Sequence, residues 1–231
     1  MPRLSAPSPV RDPEHSRARI LTAAHAEFAQ HGFDGARVDR IAALAGINKR
    51  MLYHYFGNKD DLFCAVLEVN YSHKRDSERA LNLEQDSATV AIRKLVTLTW
   101  NYYLENPAFL SLLNSANLHQ AKHLRQSRAV REMRSPFVAL IGSILDRGVR
   151  VALIGSILDR GVREGVFRPG VDPAQLYITM AGLSYFYLSN QHTLSTIFGR
   201  SLMSPQARRE RLDHMIEVVL SYLTCRPSSP Y

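Results

Sequence analysis

Apolar residues along this chain recur at three- and four-residue intervals. Ile20, Ala24 and Phe28 make one such stripe, Ile41, Ala42, Leu44 and Ala45 a second, and Leu62, Val66 and Val69 a third. Near the end, Leu212, Met215, Ile216, Val219, Leu220 and Leu223 make a longer one. This is the spacing of a buried helix face, and since no strand-like alternation accompanies it, the expected fold class is all-α. A capping residue followed by proline recurs at Asp12-Pro13, Asn106-Pro107, Ser135-Pro136, Asp172-Pro173 and Ser204-Pro205. Each pair predicts a helix start, because proline suits the first helical position, where its missing N–H costs nothing.

Those marks predict a first helix over about 14–31 that ends at Gly32, and a long helix capped by Asn58 that runs from Lys59 toward Leu83. Further helices are predicted over about 87–105, after Asn106, from Ser135-Pro136 to near 161–163, after Asp172, and over about 205–223. Residues 1–11 and 225–231 lack periodicity and are expected to be disordered arms. The domain reading is a head over 12–63, whose last helix runs on to about 83, followed by a helical domain over 64–224.

Val38 to Phe63 has the residue order of two short helices joined by a tight turn. Gly46 stands where a left-handed C-cap is needed, and Asn48 is a good N-cap for a second helix with Leu52, Tyr55 and Phe56 turned inward. Its outward face then carries Lys49, Arg50, Tyr53 and His54, donors suited to phosphates and to base edges in the major groove. This is a helix-turn-helix pattern with the reading helix second. Arg11, Arg17 and Arg19 open the first helix as either an arm for the minor groove or a solvated helix start.

The string Ile20, Ala23, Ala24, Phe28, His31, Gly32, Phe33, then Ile41, Ala42, Ala45, Gly46, Ile47, then Leu52, Tyr53, Tyr55, Phe56, Lys59, Leu62, Phe63 resembles the TetR family of bacterial regulators. The resemblance implies an N-terminal DNA-binding head and a C-terminal domain that dimerises and binds a small-molecule effector. It also implies that Lys59 faces a phosphate from a helix N-terminus. Members often carry Thr where this chain has Arg37; Arg37 is placed to reach a phosphate, but the capping role of that Thr is unfilled. Glu105 to Leu124 is more loosely similar to the C-terminal domains of pyrimidine-utilisation-type members.

In the second half, the aromatic set Trp100, Tyr103, Tyr177, Tyr185 and Tyr187 reads either as pocket wall or as core and seam. The residues expected to line a ligand cavity are Trp100, Tyr103, Asn117, Met180 and Tyr185. Leu212, Ile216, Val219, Leu220 and Leu223 on the last helix are expected to pair with their symmetry mates in a homodimer.

Composition changes this picture little. A chain of 231 residues with 45% hydrophobic and 22% charged residues is an ordinary globular protein. The formal charge of +8 favours a polyanionic partner, but residues 122–168 alone carry a net +6, so the placement of Lys49, Arg50 and Lys59 is the better evidence. No apolar run approaches the roughly 18 residues of a membrane span, and Cys64 and Cys225 have no disulfide or metal spacing, which together predict a cytoplasmic protein. His119 and His123 are one helical turn apart but lack a third ligand, so no metal and no cofactor is expected. Nothing resembles a catalytic triad, a nucleophile elbow or a phosphate-cradling loop.

One feature stands apart. VALIGSILDRGVR occupies Val138 to Arg150 and again, without change, Val151 to Arg163. Thirteen residues rotate a helix by about 220° beyond whole turns, so the two copies cannot bury one common face, and one copy is surplus. A break near Gly148 or an overlong helix is expected. Taken together, the expected function is a ligand-responsive transcriptional regulator, in the sense of a repressor, that binds palindromic double-stranded operator DNA as a homodimer. The alternatives are an enzyme using the aromatic cavity and an effector-independent architectural DNA-binding protein.

Overall fold

A computed structural model describes residues 12–118 and 147–224, and among these residues the secondary structure is entirely helical. Both terminal arms, Cys225, His119, His123, Ser135-Pro136 and most of the first repeat copy lie outside the described residues. The chain forms two compact units. One comprises the residues up to Leu67 together with a segment beginning at Ser111, and the other comprises Glu68 to Leu110 and the residues from Arg134 onward.

The first unit holds α1 (Pro13–Gly35), α2 (Val38–Leu44), α3 (Lys49–Phe56), the start of α4 (Lys59–Arg79) and the later half of α6 (Pro107–Leu118). The predicted caps are in place: Asp12 accepts from the Glu14 N–H at 3.0 Å, Asn48 from the Met51 N–H at 2.8 Å, and Asn58 from the Asp61 N–H at 2.8 Å. Gly32 leaves the helix as expected, with φ 66°, although a further turn reaches Gly35 before the chain departs. Gly46 sits in the left-handed region at φ 62°, which lets Ile47 donate back to the Ala42 carbonyl at 3.0 Å. Inside, Ile20, Ala24, Phe28, Ile41, Leu52 and Leu62 are fully buried. The Phe63 ring meets Phe28 edge-on at 4.9 Å and Phe33 at 5.2 Å, which closes the core.

The second unit is built around α5 (Ala88–Glu105), against which α7 (Arg147–Arg163), α8 (Pro173–Ser189) and α10 (Pro205–Thr224) pack. A 3-10 turn over Leu83–Gln85 precedes α5, and α4 stops at Arg79 rather than continuing to Leu83. A short helix not foreseen from the sequence, α9 (Gln191–Phe198), lies between α8 and α10. Because it is covered on several sides, α5 buries Ala91, Ile92, Leu95, Val96, Trp100, Tyr102 and Tyr103. The Tyr102 hydroxyl donates to the Asn70 carbonyl at 2.9 Å, satisfying its polar end within the core.

The second repeat copy occupies the packed position. Ile154, Ile157 and Leu158 are buried, and α7 ends where expected because the Val166 and Phe167 N–H groups both donate to the Gly161 carbonyl, at 2.9 and 3.0 Å. A Cβ at Gly161 would stand 2.0 Å from the Phe167 ring, so any other residue there requires that ring to move. Gly148 is helical, and the residues of the first copy before Arg147, on which the expected break or overlong helix depends, lie outside the described residues.

Candidate functional site

α3 presents Lys49, Arg50, Tyr53 and His54 to solvent on one face, while Leu52 and Phe56 on the opposite face are buried. Arg37, just before α2, is exposed as well. Lys59, at the first turn of α4, is half-buried, with its ammonium 4.7 Å from the centre of the Phe33 ring and 3.4 Å from the Asp34 carbonyl. Burial pulls this ammonium below its ordinary pKa, against the opposing pull of Asp34, Asp60 and Glu27. Lys49 pairs with Asp39 at 3.0 Å; hydrogen bonding to that carboxylate and its charge raise the lysine pKa. Both partners are open to water, so a phosphate can take the place of Asp39 at little cost.

Two residues that hold this face were missed from the sequence. No side chain caps α2 at Arg37, in agreement with the missing Thr, but the buried Glu27 carboxylate of α1 accepts from the Arg37 backbone N–H at 2.8 Å. Its Oε1 also accepts from Arg40 Nε at 2.7 Å, with Arg40 Nη2 at 2.6 Å. Burial pushes the Glu27 carboxyl up, yet the Arg40 hydrogen bond, the Arg37 N–H and the charges of Arg40 and His31 outweigh it and leave the pKa lowered. At the other end of α2, the Arg19 guanidinium donates to the Ala45 carbonyl and so covers a helix C-terminus with positive charge. Arg17 lies over the Phe56 ring at 5.2 Å. Both arginines, read from sequence as an arm or a solvated start, therefore serve the motif's own packing. The long-range Glu27 contact carries no sequence signal beyond one acidic residue on an apolar face.

The residues expected to line a cavity differ in burial. Trp100 and Tyr103 are buried in the core, where Trp100 meets the Tyr187 ring at 5.6 Å and Tyr103 the Phe109 ring at 6.0 Å. Asn117 is exposed and belongs to the first unit, and Tyr185 is half-buried. Met180 lines a narrow cleft in the second unit with about 10 Å³ of room, little more than one water, together with Glu78, Leu95, Thr99, Leu153, Ile154 and Tyr177. Core and pocket wall share one apolar pattern, so spacing cannot separate them.

The dimer set divides similarly. Ile216, Val219 and Leu223 are buried within the subunit, while Leu212 and Leu220 are half-buried. The apolar residues of α8 and α10 left exposed are Ile178, Phe186, Val218 and Tyr222. Among the described residues no helix is long and apolar enough to cross a membrane.

A cationic, aromatic reading face over a small apolar three-helix core defines a helix-turn-helix DNA-binding protein. The family model for bacterial regulatory proteins of the tetR family matches residues 20–66, and that for the tetracyclin repressor-like C-terminal domain matches 89–154 and again 150–219. The HTH-type transcriptional repressor NicS of Pseudomonas putida is 35% identical over 207 residues, 90% of this chain and 92% of its own length. A solved structure of a tetR-family regulatory protein from Rhodococcus superposes with a TM-score of 0.65 at 20% identity, covering 91% of this chain and 98% of that one. The chain belongs to the TetR family: it is a DNA-binding transcriptional regulator and not an enzyme. The two C-terminal matches overlap at 150–154, where the two repeat copies meet.

Proposed function

We propose that this protein represses transcription as a homodimer, with α3 of each subunit in the major groove of a palindromic operator, and that a small molecule bound in the second unit releases it. The observation that carries the reading is the outward face of α3, where Lys49, Arg50, Tyr53 and His54 are exposed opposite the buried Leu52 and Phe56. In this arrangement Arg50, Tyr53 and His54 read base edges, and Lys49, Arg37 and Lys59 take backbone phosphates. NicS, similar over nine-tenths of the chain, is named a repressor, which favours repression over activation.

Two heads on one side of the duplex meet half-sites about 34–36 Å apart or a multiple of that distance. The dimer face lies on the outer sides of α8 and α10, at Ile178, Phe186, Val218 and Tyr222, with Leu212 and Leu220 at its margin. Exposed apolar side chains grouped on two neighbouring helices suit a four-helix seam. The effector enters the cleft beside Met180, whose flexible thioether can make room. Release is then a shift between dimer states that hold the heads at matching or mismatched spacing.

Footprinting on the DNA flanking the gene tests this reading. Protection of one inverted repeat with half-sites about one turn apart is the expected result; uniform protection without a preferred palindrome supports an architectural role instead.

A further inference from the structure

From Pro173 to Ser189, α8 carries no charged residue. Its Leu176, Met180, Ser184 and Leu188 are buried, while Ile178, Gly182 and Phe186, each one helical turn from the next, are exposed on the opposite side. A helix that is apolar all round must be covered all round, and here the subunit covers one side only.

A second copy of this chain fits the uncovered side. A two-fold contact sets the same patch against itself, so any charge within it would meet its own kind. The chain bears a formal charge of +8, which opposes self-association in general, and α8 is a stretch from which that repulsion is absent. Ile178 and Phe186 are 58% and 59% exposed, and Val218 and Tyr222 of α10, which packs against α8, extend the apolar surface.

Gly182 stands midway between Ile178 and Phe186. Two other glycines have their reasons inside the subunit: Gly46 takes a φ of 62°, and a Cβ at Gly161 would press on the Phe167 ring. Gly182 lies within a helix without a positive φ, and a Cβ there would meet no heavy atom within 4 Å. Glycine also weakens a helix interior relative to alanine, because it has more backbone freedom to lose. Nothing within the subunit therefore calls for the missing side chain. A helix lying directly on this point does, since the absence of a Cβ lets two backbones approach more closely than other residues allow.

We infer that α8 meets a helix of a second copy at Gly182, and that this is the closest backbone approach in the homodimer, flanked by Ile178 and Phe186. This rests on the reading of α8 and α10 as the dimer seam, and it adds the point at which the helices cross.

Sedimentation of the full chain over a range of concentrations tests the inference with Gly182→Ala and Gly182→Leu, beside Phe186→Glu as a marker of the seam. Gly182→Ala should raise the dimer dissociation constant at least about tenfold, the usual scale of overpacking a close contact. Gly182→Leu should sediment as a monomer with an unchanged far-ultraviolet circular dichroism spectrum. In the monomeric Phe186→Glu background, adding Gly182→Ala should leave the melting temperature equal or higher, because within one subunit the methyl group meets open space. A Gly182→Leu dimer as tight as wild type, with Phe186→Glu monomeric, overturns the crossing at Gly182 and leaves the seam in place. Wild-type dimerisation in both Gly182→Leu and Phe186→Glu, or a wild-type chain that is monomeric throughout, removes the seam and the inference together. A melting temperature lowered by Gly182→Ala in the Phe186→Glu background shows that the glycine serves its own subunit, and overturns the inference.

Discussion

The Ser115 hydroxyl of α6 accepts a buried hydrogen bond of 2.7 Å from the backbone N–H of Phe33, the residue that follows the left-handed Gly32. The Phe33 ring in turn carries the Lys59 ammonium at 4.7 Å. A single hydroxyl 82 residues away in sequence therefore fixes the bend in α1 and, through one ring, the cation placed to take a phosphate.

Ser115→Ala deprives that N–H of this acceptor, a loss of about 1–3 kcal/mol for a buried group. For a chain of this length each kcal/mol lowers the melting temperature by about 2–4 °C. Scanning calorimetry should show a drop of that order, and operator affinity should fall with it, because Phe33 no longer holds Lys59 in place. An unchanged melting temperature would mean that water replaces the hydroxyl without loss.

Glu27 makes the head sensitive to acid. Its folded pKa lies below the ordinary value of 4.5, so the stability it contributes is complete above that value and is lost as pH falls through the lowered folded pKa. Glu27→Gln keeps an acceptor but not the charge on which Arg40 and the Arg37 N–H depend. It should cost about 1.5–3 kcal/mol at neutral pH, the usual contribution of a hydrogen bond to a charged group. Below pH 4 the gap between variant and wild type should narrow. Parallel stability curves over pH 3–7, followed by circular dichroism, would remove Glu27 from this role.

Lys59→Ala should weaken binding to every DNA sequence alike and flatten the dependence of log K on log salt by about one unit, as the loss of one phosphate contact does. Arg50→Ala should instead relax discrimination between operator variants. If Lys59→Ala alters sequence preference while the salt slope stays put, Lys59 reads bases and not the backbone.

How much of this was legible in the sequence depends on how local each contact is. The caps at Asp12, Asn48, Asn58 and Asp172 act within three residues, and all four could be read from spacing alone. Arg19 on the Ala45 carbonyl and Glu27 on the Arg37 N–H join residues 26 and 10 apart, and no periodicity reports them. The second unit was harder for another reason. Trp100, Met180 and Ile216 all satisfy the same apolar pattern and all are buried, so only what each side chain packs against distinguishes them.

Burial also decides how to test the dimer. Ile216→Glu would place a charge inside the subunit and unfold it, so the useful substitution is at Phe186, which is 59% exposed in the single chain. Phe186→Glu should fold normally, sediment as a monomer and lose high-affinity operator binding, because one head alone makes half the contacts. A folded variant that still sediments as a dimer moves the seam away from α8.

The tandem copy offers the last test, and its logic is simple because the copies are identical. Removing Val138 to Arg150 or Val151 to Arg163 yields the same chain, in which one VALIGSILDRGVR runs from Ser135-Pro136-Phe137 directly into Glu164. In the present chain the second copy holds the buried position, with Ile154, Ile157 and Leu158 inside and Gly161 closing the helix against Phe167. It also supplies Leu153 and Ile154 to the cleft. A thirteen-residue offset turns the corresponding residues Ile141, Ile144 and Leu145 roughly 140° away on a continuous helix, so they cannot share that face. The single-copy chain should therefore keep the same packed helix, the same cleft and the same operator affinity. Its melting temperature should be equal or higher, since the apolar residues of one surplus copy are gone. If the shortened chain is less stable or fails to dimerise, the first copy has acquired a structural role of its own.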